Sequence, residues 1–212
     1  MAVIASQLED EREEYSETVK RLLKIRKGSV KQILVPDATY LWVQGESDPF
    51  GEEFAKAAEA LFSVAYAIKF LPKGGYTPDG YIKDYTVGPL EALYPFGHDA
   101  WNWKLMLMQP PFVDEDVLEQ AREALVRRRR SRYERVGLKK WEEGCAFQTL
   151  HVGPYAGLDD AARRLNDAIR DRSLSKYRYQ HEIYLTNPVQ LEDPETRIVL
   201  RYPVLDPLCL SQ

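Results

Sequence analysis

At 212 residues with a formal net charge of −4, the chain has the length of one large domain or two small fused ones, and it lacks the positive balance of a general nucleic-acid binder. Its 44% hydrophobic and 29% charged residues fit a soluble globular protein, with no signal-peptide pattern and no apolar run near the ~20 residues that cross a bilayer. Cys145 and Cys209 are too few for a disulfide framework, which points to a reducing cytoplasm, and His98, His151 and His181 lack metal-ligand spacing.

In chain order, residues 1–29 are charged and close on Gly28, which predicts a peripheral helical segment. Two strand-like runs, VKQILV and TYLWVQG, then flank the turn signal Pro36-Asp37. A helix is predicted from about Pro49, with Asp48 as N-cap and Phe54, Ala58, Leu61, Ala65 and Ile68 on one stripe. A loop rich in Gly and Tyr leads to two further runs, TVGPLEALY and WNWKLMLMQ.

The order then begins again. A helix at about 114–130 runs into RRRRSR at 127–132, read as a solvated end whose cations complement the helix dipole. RVGLKKWEE and CAFQTLHVG follow, joined by a tight Glu143-Gly144 turn. A helix with Leu158, Ala162, Leu165 and Ile169 on one face comes next, then YRYQHEIYLTN and TRIVLRYPV. Both halves, about 30–110 and 111–204, thus read strand, strand, helix, strand, strand, with a tail at 205–212. Short hairpins joined by single helices predict an α+β fold, a pseudo-two-fold pair around an antiparallel sheet with helices on its outer face.

Two carboxylates stand inside predicted central strands, Glu91 in PLEALY and Glu182 in HEIYLT, as apparent counterparts of the two halves. Alternation places Gln180, Glu182 and Tyr184 on one face, lining the surface the halves enclose, and His181, Ile183 and Leu185 on the other, packed under the helices. Such an acid is either structural, bonded to a tyrosine or a strand N–H, or functional, a base or counter-charge with a raised pKa. The 13 Tyr and four Trp fall mostly in predicted strands, with Tyr40/Trp42 and Trp101/Trp103 at spacing two, which suits either a core or the wall of a pocket for flat ligands. Tyr66 shares a second helical stripe with Phe62, and Tyr155 lies in the GPY turn before a helix.

Over roughly Val30 to Val204 the segments VPDATYLWVQGESDPFGEEFAKAAEALFSVAYAIKF, GPLEALY, WNWKLMLMQPPFV, EEGCAFQTLHVGPY, HEIYLTNP and VLRYPV resemble, in order, the GyrI-like small-molecule-binding proteins. The resemblance implies strand-helix-strand-strand units around a concave ligand groove, with Glu182 matching the family's pocket glutamate and Trp101, Trp103, Tyr66 and Tyr184 its aromatic positions. WNWKL and HEIYL look like the branch that hydrolyses cyclopropane-bearing DNA alkylators of the yatakemycin and CC-1065 type. Tyr94-Pro95 stands where the family usually has a tryptophan pair, and Gln180 where it has a second His.

The resemblance implies a cytoplasmic, monomeric, cofactor-independent hydrolase, with no metal, membrane or nucleic-acid partner, whose ligand is small, aromatic and hydrophobic. Glu182 would be the base and Tyr66 or Tyr184 the donor to the ligand's carbonyl oxygen. Trp101, Trp103, Glu91, Tyr40, Trp42 and Tyr155 would contact ligand. The alternative is a binding protein without turnover, a sink or sensor for flat aromatic or cationic compounds. With no helix-turn-helix segment before Val30, a transcription regulator is disfavoured.

Overall fold

Both repeats of strand, strand, helix, strand, strand are present in the computed structural model, which describes residues 15–81, 84–97, 102–127, 133–188 and 190–206. Helix α1 covers residues 15–23. The first repeat holds β1 (Val30–Val35), β2 (Ala38–Glu46), α2 (Glu52–Lys69), β3 (Leu90–Pro95) and β4 (Asn102–Met108). After α3 (Glu115–Arg127) the second holds β5 (Gly137–Trp141), β6 (Gly144–Val152), α4 (Leu158–Arg170), β7 (Tyr179–Tyr184) and β8 (Arg197–Pro203). Of RRRRSR, Arg127 ends α3 and the remainder lies outside the described residues, as do Trp101, His98, Cys209 and residues 207–212.

Helix starts follow local chemistry. Asp114 caps α3 by accepting the Val117 N–H at 2.9 Å. The expected Asp48 cap on α2 does not form: Phe50 takes a left-handed φ of 72°, and the helix starts at Glu52 behind Gly51, whose N–H donates to the Asp48 carbonyl. Glu52 and Glu53 instead place negative charge on the first turn, where the helix dipole favours it.

All strands join one antiparallel sheet in the order β1-β6-β8-β7-β3-β4-β2-β5. Exchanging the two halves reproduces that order reversed, so the pseudo-two-fold passes between β3 and β7. The hairpins expected at Pro36-Asp37 and Glu143-Gly144 are not hairpins. β1 pairs with β6 and β2 with β5, so the repeats trade arms. Each two-residue connection therefore joins strands from opposite ends of the sheet, which must curl until its edges approach. Val35 of β1 and Trp141 of β5 accordingly share one buried cluster, and the Trp141 ring lies 5.7 Å from Tyr179 of β7.

The two faces carry separate cores. On one, α2 rests on β2 and β4, α4 on β6 and β8, and α3 on α2; Leu61, Val64, Leu105, Leu165 and Leu200 fill the space between. On the other, inside the curl, Tyr40, Leu93, Met106 and Ala146 pack with Tyr15 and Leu22 of α1. Helix α1 is therefore part of a core: Tyr15 and Leu22 are buried, and the Leu22 carbonyl accepts from Gln148 Nε2 at 2.7 Å.

Gly45 of β2 lies directly across from Trp103 of β4, and a Cβ there would overlap the indole ring. Trp103 is held by Phe54 and by its own N–H donated to the Ser47 carbonyl, so a shift of the ring would break both contacts. Gly45→Ala is expected to destabilise by ~1–3 kcal/mol, read as a lower urea midpoint with an unchanged slope.

Candidate functional site

Glu182 lies at the middle of the molecule, on β7 beside the pseudo-two-fold. Its side chain shares the face of α2 and α4, together with Tyr184. The expected assignment of the two faces of β7 is thus reversed: Ile183 belongs to the curl interior, with Leu150 and Val199. α2 and α4 rest on strands to either side of β3 and β7, and Glu182 stands between them.

Its carboxylate is fully buried and receives converging donors. Tyr184 Oη donates to Oε2 at 2.8 Å, Gln180 Nε2 to Oε1 at 2.7 Å, and Tyr155 Oη reaches both oxygens at 3.0 and 3.1 Å. Behind these, Tyr94 Oη lies 3.1 Å from Tyr184 Oη, and Tyr202 Oη donates to Gln180 Oε1 at 2.9 Å. With Tyr184 donating to the acid, its oxygen accepts from Tyr94, which orders the chain Tyr94, Tyr184, Glu182.

Burial pushes the Glu182 pKa up, against the hydrogen bonds from Tyr184, Gln180 and Tyr155 and the nearby His181 charge. Desolvation and the Glu182 charge raise Tyr155 and Tyr184 well above the ordinary phenol range. Tyr202 is pushed up to about 12 by burial and the same carboxylate. The phenols therefore stay protonated and act as donors.

Two aromatic rings close the site from above. Phe50 precedes α2, and Tyr155 stands at the corresponding place before α4, each directly after a proline. Their centroids lie 5.0 Å apart, and Phe50 is 6.3 Å from Tyr184. Phe50 keeps a left-handed backbone that a bulky residue adopts only at a cost of ~1–2 kcal/mol. Tyr155 is half-buried on a short turn between Gly153 and Gly157. The rings continue through Phe54 to Trp103 at 5.1 and 5.3 Å.

The other anticipated residues go elsewhere. Tyr66 is 47% exposed on α2, stacked with Phe62 and Phe70, and donates nothing to the Glu182 carboxylate. Glu91 is not the counterpart of Glu182. Ala92 pairs with Glu182, so Glu91, one residue earlier, faces into the curl. Tyr40 and Trp42 face the same way.

Inside the curl Glu91 joins a second polar group. His181 Nε2 is 2.8 Å from Glu91, its Nδ1 2.9 Å from Glu143, and Arg201 Nη1 2.9 Å from the other Glu143 oxygen. Burial alone would lower His181, yet Glu143 and Glu91 override it and bring its pKa up to about 9. Burial would likewise raise Glu143, but His181 and Arg201 hold it down at about 2. Among the described residues no group of three or more His, Cys, Asp or Glu is arranged to hold a metal ion, and no helix is long and apolar enough to cross a membrane.

Phe50, Tyr94 and Tyr202 are missing from the sequence reading of the site, and Gln180 was placed on the face of Glu182 without a role. Tyr94 was legible only as a place where the family pattern changes, Gln180 also from strand alternation, and the Pro-aromatic step before each helix was a signal for Phe50.

A pseudo-symmetric antiparallel sheet with its helices on one face is a GyrI-like fold. A hydrolase from Listeria innocua is 34% identical, covers 90% of this chain and 98% of its own, and superposes with a TM-score of 0.81. An uncharacterized conserved protein from the same organism is 36% identical over 90% of this chain and 98% of its own, with a TM-score of 0.78. The C-terminal domain of EcmrR, 13% identical over 84% of this chain and 96% of its own, shares the fold at a TM-score of 0.50. No family model and no curated protein sequence matches the chain. The chain belongs to the family of these Listeria innocua proteins, GyrI-like in fold.

Proposed function

We propose that the protein binds a small, flat aromatic molecule against Glu182 and adds water to it, acting on cyclopropane-bearing alkylators without a cofactor and so detoxifying them. The observation that carries this reading is a fully buried carboxylate, with its pKa raised by burial, that faces phenol donors beneath two aromatic rings. The name of the Listeria innocua hydrolase, 34% identical to this chain, supports hydrolytic chemistry. Displacing Tyr155 on its glycine-flanked turn admits ligand and opens one acceptor position on the carboxylate for water, with Gln180 still on Oε1 and Tyr184 on Oε2.

In the proposed step Glu182 accepts a proton from water as the water oxygen bonds to the cyclopropane methylene carbon. The strained C–C bond breaks, and its electron pair passes through the dienone to the carbonyl oxygen. Tyr184, itself hydrogen-bonded to Tyr94, supplies a proton to that oxygen, and the proton held by Glu182 restores the phenol. The product equals substrate plus one water. A positioned base contributes ~10²–10⁴-fold and a donor to the developing oxyanion ~10²–10³-fold. Trp103 and Phe54 continue the aromatic wall, and Tyr66 offers a ring on the outer surface of α2.

The second reading, binding without turnover, is favoured by one observation: the Glu182 oxygens are already saturated with donors, as suits a fixed counter-charge. Mass spectrometry of a cyclopropane-type alkylator incubated with the protein separates them. Catalytic gain of one water supports the hydrolase. Tyr184→Phe is expected to slow it ~10²-fold and Tyr66→Phe to leave it unchanged. Saturable binding with no water gained moves the assignment to a sink or sensor.

A further inference from the structure

On the face of β7 opposite Glu182, Tyr179 forms a second polar arrangement that the proposed reaction does not use. A cavity of about 520 Å³ opens there at the ends of β2 and β4, with Gln44, Glu46, Pro95, Trp103, Lys104 and Tyr179 among the residues that bound it. This volume is within the range of small-molecule sites. Lys104, half-buried, donates from Nζ to Tyr179 Oη at 2.7 Å and lies 4.3 Å from the Tyr179 ring centre and 6.0 Å from Trp42. Because the ammonium is the donor in that contact, the phenol proton of Tyr179 is not consumed by it. Among the described residues neither group has an anionic partner: Lys104 forms no ion pair, and the Tyr179 hydroxyl donates to no acceptor.

Trp103 and Tyr179 are the aromatic rings of the cavity lining; behind Tyr179, outside the lining, Trp141 lies 5.7 Å from both Tyr179 and Trp42, and Lys139 sets a second positive charge 4.6 Å from Trp42. The carboxylate at the rim, Glu46, is exposed at the end of β2. One cation and one free phenol proton, side by side against aromatic rings, match an anion with a flat body. We propose that this cavity is a second ligand site, which takes aromatic carboxylates, with the carboxylate bridging Lys104 Nζ and Tyr179 Oη and the ring lying against the aromatic lining. Its polar groups are separate from Glu182, since Tyr179 and Glu182 leave β7 on opposite faces, although Trp103 borders both this cavity and the aromatic wall of the Glu182 site.

Isothermal titration of the full chain with 2-naphthoate, beside its neutral amide 2-naphthamide, tests the assignment. The expected result is saturable 1:1 naphthoate binding, at least ~10-fold tighter than the amide and weakened by salt. Lys104→Met, which keeps the stem over the rings, should weaken naphthoate ~10-fold or more. Tyr179→Phe, which removes only the hydroxyl, should weaken it several-fold with the fold unperturbed, and Glu182→Gln should leave it unchanged. Equal affinity for acid and amide, no saturable binding, wild-type affinity in Tyr179→Phe, or loss of binding in Glu182→Gln would each overturn the proposal.

Discussion

Glu182→Gln is expected to lower water addition to the alkylator by ~10²–10⁴-fold while the fold persists. The amide matches the acid in size and keeps one acceptor for Tyr155, Tyr184 and Gln180. It cannot take a proton from water. Stability supplies a second readout with a definite sign. The Glu182 pKa is raised by burial, so the group's favourable contribution is complete below its unfolded value, near 4.5, and is lost as pH rises through the higher folded value. At pH 8 the wild type therefore holds an acid whose charged form the fold opposes, and the Gln variant does not. The variant should show the higher urea midpoint at pH 8, with the difference closing toward pH 4. A variant that is less stable at every pH and still turns over would reduce Glu182 to a structural acid.

The largest loss of stability is expected at Glu143→Gln, ~3–5 kcal/mol, because His181 and Arg201 then remain buried without their counter-charge. Glu143 is held down at about 2, so its contribution is present above about 4.5 and disappears as pH falls through 2. His181 is held up at about 9, so its contribution is present below about 6.5 and disappears as pH rises through 9. With Glu182→Gln as the background, which removes that acid's own loss above about 4.5, the urea midpoint should therefore form a plateau between about 4.5 and 6.5, falling off on both sides. In Glu143→Gln the acid shoulder should vanish and the alkaline one should shift to lower pH. A variant within 1 kcal/mol of wild type, with an unaltered profile, would show that the network contributes little.

Much of the architecture was legible before any coordinates, because it rests on local periodicity. The stripe through Phe54, Leu61, Ala65 and Ile68 defines α2, and the alternation in YQHEIY defines β7 whatever the rest of the chain does. The repeat of strand, strand, helix, strand, strand was visible for the same reason. Short turns at Pro36-Asp37 and Glu143-Gly144 were visible as well. Their consequence was not, since a two-residue connection suits a hairpin equally well as two strands at opposite edges of a curled sheet. Partner choice depends on which side chains meet across strands far apart in sequence, such as Val30 with Thr149.

The candidate site divides along the same line. By itself the sequence determined that an acid stands in a central strand, that Tyr184 shares its side, and that the halves repeat, because each follows from spacing along one segment. Only the tertiary structure decided that this side belongs to α2 and α4, that Glu91 turns away to meet His181, and that Phe50, Tyr94 and Tyr155 gather around the acid. Both faces of β7 end up buried, one beneath the helices and one inside the curl, so polarity alone carried no preference between them. The choice rests on the closing of the sheet, and that closing joins residues more than a hundred positions apart.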